Sequence, residues 1–107
     1  MKLLYLSGPM SGHPEMNHPA FHHAARTLCD MGFEVASPAD IPPPNDAPTW
    51  GDWMREALAM MLGCDAVALL PGWEHSPGAR EERRVAFEIV GMPCFTLAEW
   101  LAGEAEA

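Results

Sequence analysis

Basic side chains are scarce. Six lysines and arginines face fifteen aspartates and glutamates, a formal net charge of −9 over 107 residues. Such a surface repels phosphate backbones, so no nucleic-acid partner is expected. A small anionic ligand remains compatible, because a loop of backbone N–H groups can hold a phosphate inside an acidic protein. Long apolar runs are missing too. No stretch approaches the roughly 18 continuous apolar residues of a membrane span, and no membrane partner is expected. The opening run Leu3-Leu4-Tyr5-Leu6 is short and lacks the cleavage pattern of an export signal. Cysteine is sparse: Cys29, Cys64 and Cys94 are far apart, odd in number and set in apolar surroundings. No CxxC pair exists, which argues against a cysteine zinc site. The expectation is reduced, buried thiols in a cytoplasmic protein.

What is present is an alternation of two segment types. Residues 3–6 form a short apolar run that ends in Ser-Gly-Pro, a strand buried on both faces. A helix over 17–31 follows, with Pro19 near its start, Phe21, Ala24, Ala25, Leu28 and Cys29 at helical spacing, and Gly32 at its end. Further strands are expected at 33–36, 66–70 and 94–96. Further helices are expected at 50–63, 78–90 and 97–101, the first of these with Met54, Ala57, Leu58, Met61 and Leu62 as its buried stripe. The proline-dense loop 37–49 reads either as a rim near a site or as a stiff connector. One domain over 1–102 and a short acidic tail over 103–107 that frays complete the reading.

Strand–helix alternation predicts an α/β fold, a flavodoxin-like or Rossmann-like three-layer sandwich with four or five parallel strands. Such sheets bind ligands beyond the carboxyl ends of their strands, where the strand order reverses. For the order 2-1-3-4, the loops at that crevice are 7–12 and 71–78, so these two segments should meet.

The first loop, Ser7-Gly8-Pro9-Met10-Ser11-Gly12, combines hydroxyls with glycines that free backbone N–H groups to face a ligand. It is neither a Walker loop nor GxGxxG, and by itself it reads equally as an ordinary strand-to-helix turn. The second loop enters a helix as Ser76-Pro77-Gly78-Ala79-Arg80-Glu81-Glu82. Ser76 is a good N-cap and Pro77 a good first residue, and a helix N-terminus attracts anions. Ala79, Glu82, Ala86 and Ile89, spaced 3, 4 and 3, share the inward face. An ionised carboxylate there is costly unless paired or hydrogen-bonded. From spacing alone Glu82 is either a nucleophile or base, or the partner of a nearby arginine.

Taken together, Tyr5-Leu6-Ser7-Gly8-Pro9-Met10-Ser11-Gly12, Cys64-Asp65-Ala66-Val67, Leu70-Pro71-Gly72-Trp73 and the Ser76–Glu82 stretch followed by Ala86 resemble the nucleoside 2-deoxyribosyltransferase-like superfamily, in its small phage and bacterial branch. The resemblance spans residues 2–96. It implies a flavodoxin-like fold and cleavage or exchange at the N-glycosidic bond of a nucleoside or nucleotide. Glu82 would attack C1′ and form a covalent glycosyl-enzyme, with Tyr5 beside it. Ser76 would meet a 5′-phosphate, and Ser7, Gly8, Met10, Ser11, Gly12, Gly78 and Ala79 would line the substrate. No metal or cofactor is implied. A homo-oligomer is, and residues 50–61 offer apolar surface for one.

Two positions depart from the pattern. Active members carry an aspartate eight residues before the aspartate that opens the third strand, where this chain has Ala57. The phosphate-specific hydrolases carry an arginine where this chain has Ser11, leaving hydroxyls, N–H groups and His13 for a phosphate. Ala57 favours the alternative of a catalytically degenerate nucleotide-binding module. Elsewhere, Asp65 and Asp40 read as structural. His18 and His22 are four apart without a clear third ligand, which reads as a solvated helix face. Trp50, Trp53 and Trp73 read as core or interface residues, with Trp73 the best candidate to stack on a base.

Overall fold

Side chains alternate across a strand, and this alternation sorts the molecule into layers. A computed structural model describes residues 2–105. Its sheet holds β1 (Leu3–Ser7), β2 (Glu34–Ala36), β3 (Ala66–Leu69) and β4 (Cys94–Thr96), all parallel, in the order β2-β1-β3-β4. The chain steps from β1 to β2 on one side and then crosses to β3 on the other. Leu4, Leu6, Ala66, Ala68 and Leu70 pack against Phe21, Ala24 and Leu28 of α1 (His18–Asp30) and Trp100 of α4 (Leu97–Leu101). Tyr5, Val67 and Leu69, on the opposite face, pack against Ala57 and Met61 of α2 (Trp50–Leu62) and against Ala86. Helices therefore cover both faces of a four-stranded parallel sheet, the three-layer arrangement that strand–helix alternation predicts.

Local chemistry sets the element ends. Thr49 and Asp52 form a capping box at the start of α2, and Thr96 and Glu99 form another at α4. Asp65 accepts the Leu3 N–H at 2.8 Å and ties β1 to the start of β3, which is a structural role. Trp100 Nε1–H donates to the Val67 carbonyl at 3.0 Å.

The third helix departs from expectation. α3 covers Pro77–Arg83, and the chain then widens into a π-helical turn over Arg84–Ile89. Its i→i+5 pattern is seen where the Val90 N–H reaches the Val85 carbonyl at 3.1 Å. The extra residue rotates the face beyond Ala86. Ile89, expected inward, is 61% exposed, and Met92 packs against that side of the core instead. Leu62 is also exposed rather than part of the α2 stripe, since it follows the buried Met61 and lies about 100° further round the helix. The thiols are less buried than expected. Cys29 lies on the outer side of α1 and is exposed, while Cys64 and Cys94 are half-buried. In the tail, the Glu104 N–H still bonds the Glu99 carbonyl at 2.9 Å and Ala105 packs on the core. Residues 106 and 107 lie outside the described residues.

Candidate active site

β1 sends Tyr5 and Ser7 to the same side, two residues apart, toward α3. There the inward face of α3 presents Glu82, only 6% exposed. The Tyr5 hydroxyl donates to Glu82 Oε2 at 2.5 Å, and the Ser7 hydroxyl donates to Glu82 Oε1 at 2.7 Å. Both donors are fully buried. The partner of the inward carboxylate is thus a pair of neutral hydroxyls, not an arginine. Arg84 instead pairs with Glu81 on the surface.

Burial pushes the Glu82 carboxyl above its ordinary value, and the hydrogen bonds from Tyr5 and Ser7 pull against that shift. Burial, followed by the charge of and hydrogen bond to Glu82, raises Tyr5 far above the usual phenol range. The phenol therefore keeps its proton and remains a donor to the carboxylate. The two hydroxyl donors favour the anion and so oppose, without reversing, the upward shift that burial imposes on Glu82.

The crevice forms where the order of the strands reverses. The Leu70 N–H bonds the Ser7 carbonyl at 2.8 Å, which extends the β1–β3 pairing to the loop mouths. The two loops then touch. A Cβ at Gly8 would stand 2.7 Å from Leu70 Cβ, and a Cβ at Gly72 would stand 3.4 Å from Pro9 Cγ. Glycine at position 8 is what lets the backbones approach so closely. Beyond this contact lies a cavity of about 610 Å³ with Glu82 on its wall. Its size suits a drug-sized or nucleoside-sized ligand.

Of the residues expected at the site, Gly8, Met10, Ser11, Ser76, Gly78 and Ala79 line the cavity with Glu82. Tyr5 and Ser7 are not on the wall; they sit behind Glu82 and hold it. Ser76 caps α3 by accepting the Ala79 N–H at 3.2 Å, which leaves its own hydroxyl hydrogen free for a ligand. Gly12 is not on the wall; its φ of +82 serves the turn. Trp73 is not on the wall either. The turn Trp73–His75 that follows Gly72 sets it half-buried against the core on the α2 side of the sheet, with the Arg83 guanidinium 5.7 Å from its ring centroid. There it lines a wider depression between the outer sides of α2 and α3.

The aromatic wall of the cavity comes from Trp50 and Trp53 of α2. From the loop between β2 and α2 come Pro38, Ile41 and Pro43, so that loop is a rim and not a mere connector. Met16, His13, His18 and His75 complete the mouth. The Glu15–Asn17 backbone there is left-handed (φ 54, 54 and 60), fastened by Asn17 Nδ2–H to the Pro9 carbonyl at 2.8 Å. His18 and His22 stack edge to face at 6.0 Å between centroids. Ala57, 7% exposed, forms part of the wall as well.

Trp50 was legible only as an α2 residue of mixed role. Its place on the cavity follows from how the 37–49 loop returns over the sheet, for which no local motif exists. Among the described residues Glu82 is the one carboxylate on the wall, and neither lysine nor arginine lines it. A buried, doubly hydrogen-bonded carboxylate over a switch-point cavity defines an acid-centred pocket in a parallel α/β sheet. Residues 2–94 match the domain of unknown function DUF4406, and the chain belongs to that family. No curated protein matches it. Among the described residues no helix is long and apolar enough to cross a membrane.

Proposed function

We propose that the protein cleaves or exchanges the N-glycosidic bond of a nucleoside or nucleotide through a covalent glycosyl-Glu82 intermediate. The observation that carries this reading is the Glu82 carboxylate, held by Tyr5 and Ser7 at 2.5 and 2.7 Å and facing the cavity. A carboxylate fixed by two donors is presented in one orientation, as attack on a sugar carbon requires. One Glu82 oxygen bonds C1′ as the bond from C1′ to the base breaks. Water or a second base then attacks C1′ and frees the carboxylate. Tyr5 and Ser7 are positioning residues; they touch Glu82 and not the substrate. The Ser76 hydroxyl and the wall at Gly8, Ser11 and Gly78 face the sugar and any 5′-substituent. The likeness of the Tyr5, Ser76 and Glu82 motifs to the nucleoside 2-deoxyribosyltransferase-like superfamily supports the same chemistry.

The test is incubation with a panel of ribo- and deoxynucleosides and their monophosphates, with free base read by chromatography. Base release that Glu82→Gln lowers by about 10³-fold or more supports the reading. Release from none of the panel, with Glu82→Gln indistinguishable from the native protein, rejects it.

One observation favours a second reading, a binding module without turnover: Ala57 presents a methyl group where the superfamily places an aspartate. That reading expects ligand-dependent thermal stabilisation without base release, and a gain of release in Ala57→Asp. Under either reading the protein self-associates, since Phe87, Ile89 and Val90 expose apolar surface outside the cavity. A free, exposed Cys29 fits a reducing, cytoplasmic setting.

A further inference from the structure

The cavity divides by chemistry. Its polar side comes from the first loop and the α3 entry, with Ser11, Ser76 and Glu82. Its other side comes from α2 and the loop before it, with Trp50, Trp53, Met54, Ile41, Pro38 and Pro43. With the sugar carbon held at Glu82, a heteroaromatic base has the second side to lie against. That side carries no acid, no base and no lysine or arginine among the described residues.

The missing acid matters for the leaving group. A neutral purine or pyrimidine departs as an anion unless a proton reaches it. Tyr5 cannot supply one, because its hydroxyl is spent on Glu82 Oε2. Ala57 offers only a methyl group. His13, His18 and His75 line the cavity from the loop after β1, the first residue of α1 and the turn before α3, and none of them belongs to α2 or the loop before it, which form the apolar side. A ring whose glycosidic nitrogen belongs to a cation needs no proton. Indole faces attract cations, and so do a carboxylate and a chain of net charge −9.

We infer that the cavity takes a cationic, N-alkylated heteroaromatic ring, such as the pyridinium or N7-alkylated purine of a riboside, and discriminates against its neutral counterpart. The inference rests on the glycosidic reading for its reaction but not for its binding. In the reaction, a Glu82 oxygen bonds C1′ while the C1′–N pair returns to the ring and cancels its positive charge, with no proton moved. Water then bonds C1′, one proton goes to solvent, and the Glu82 carboxylate leaves. Each base released therefore brings one proton into solution.

Binding is measured first, by titration calorimetry on the whole protein with 1-methylnicotinamide and with uncharged nicotinamide, two rings of nearly equal shape. The expected result is an affinity for the cation higher by about tenfold or more, falling toward parity in both Trp50→Leu and Trp53→Leu. Equal affinities, or a preference for nicotinamide, overturn the inference. Turnover is measured next, with 7-methylguanosine against guanosine. At a pH acid enough to keep the 7-methylguanosine ring cationic, the expected result is base and one proton released from it, abolished by Glu82→Gln. Guanosine cleaved as fast as 7-methylguanosine, with loss of that activity in a His13, His18 or His75→Gln variant, overturns the inference and leaves the glycosidic reading standing. A retained cation preference with no base released from either substrate, nor from any member of the nucleoside and monophosphate panel, upholds the pocket and removes the glycosidic reading.

Discussion

Replacing Tyr5 by phenylalanine removes one oxygen atom and little else, since the ring is fully buried and keeps its packing against the β3 and α2 side chains. The missing group is the 2.5 Å donor to Glu82 Oε2. Hydrogen bonds to charged groups contribute about 1.5–3 kcal/mol, so the variant should lose roughly tenfold to 150-fold in any rate that uses ionised Glu82. The same loss acts on titration. Burial raises the Glu82 pKa and the Tyr5 hydrogen bond lowers it, so Tyr5→Phe pushes it further up.

The sign for stability follows from linkage. A carboxyl that holds its proton more tightly in the folded chain makes folding take up a proton between the unfolded and folded pKa values. Glu82 therefore contributes stability that is fully present below the ordinary carboxyl value of 4.5 and lost as pH rises through its folded pKa. Urea denaturation from about pH 4 to about pH 8 reads this dependence. Tyr5→Phe should extend the loss of stability to higher pH, and Glu82→Gln should abolish that component. In activity, the acid limb of kcat/KM should move to higher pH in Tyr5→Phe. A limb that stays in place or moves down, with an unchanged stability profile, would refute the role given to Tyr5.

Other outcomes follow from local geometry. Gly8→Ala places a Cβ 2.7 Å from Leu70 Cβ, forces the two site loops apart and should cost about 1–3 kcal/mol, read as a lower Tm; an unchanged Tm contradicts the close approach. Thr49→Ala removes half of the α2 capping box and should cost about 0.5–2 kcal/mol in denaturant unfolding. Of the three thiols, only Cys29 should react quickly with a disulfide reagent at neutral pH. Burial, aided by the Asp65 charge at Cys64 and opposed by Arg83 at Cys94, pushes the other two up to about 11, and three equally fast thiols would contradict their placement.

Periodicity and punctuation carried the architecture. The apolar runs at β1 and β3, the glycines at 32 and 91, and the Ser76-Pro77 cap are local signals, and each element formed where its own residues favour it. The inward face of Glu82 was legible for the same reason, because Ala79, Glu82 and Ala86 follow α-helical spacing up to the point where the helix widens. Beyond that point the spacing misleads: an i→i+5 turn is set by tertiary fit and has no dependable residue signature, so Ile89 faces outward.

Which side chains meet is a matter of distance through space, and that only the folded chain decided. Tyr5 and Ser7 lie 77 and 75 residues from Glu82, and nothing in the spacing of either segment reveals that two hydroxyls, and no arginine, satisfy the carboxylate. The exchange of Trp73 for Trp50 and Trp53 has the same cause. Trp73 is adjacent in sequence to the α3 entry, but the 72–75 turn sets it against the core away from the cavity, whereas the α2 indoles reach the cavity because a long proline loop brings their helix back over the sheet. Local sequence determines backbone states one residue at a time, while the composition of a site depends on how separate elements converge in space.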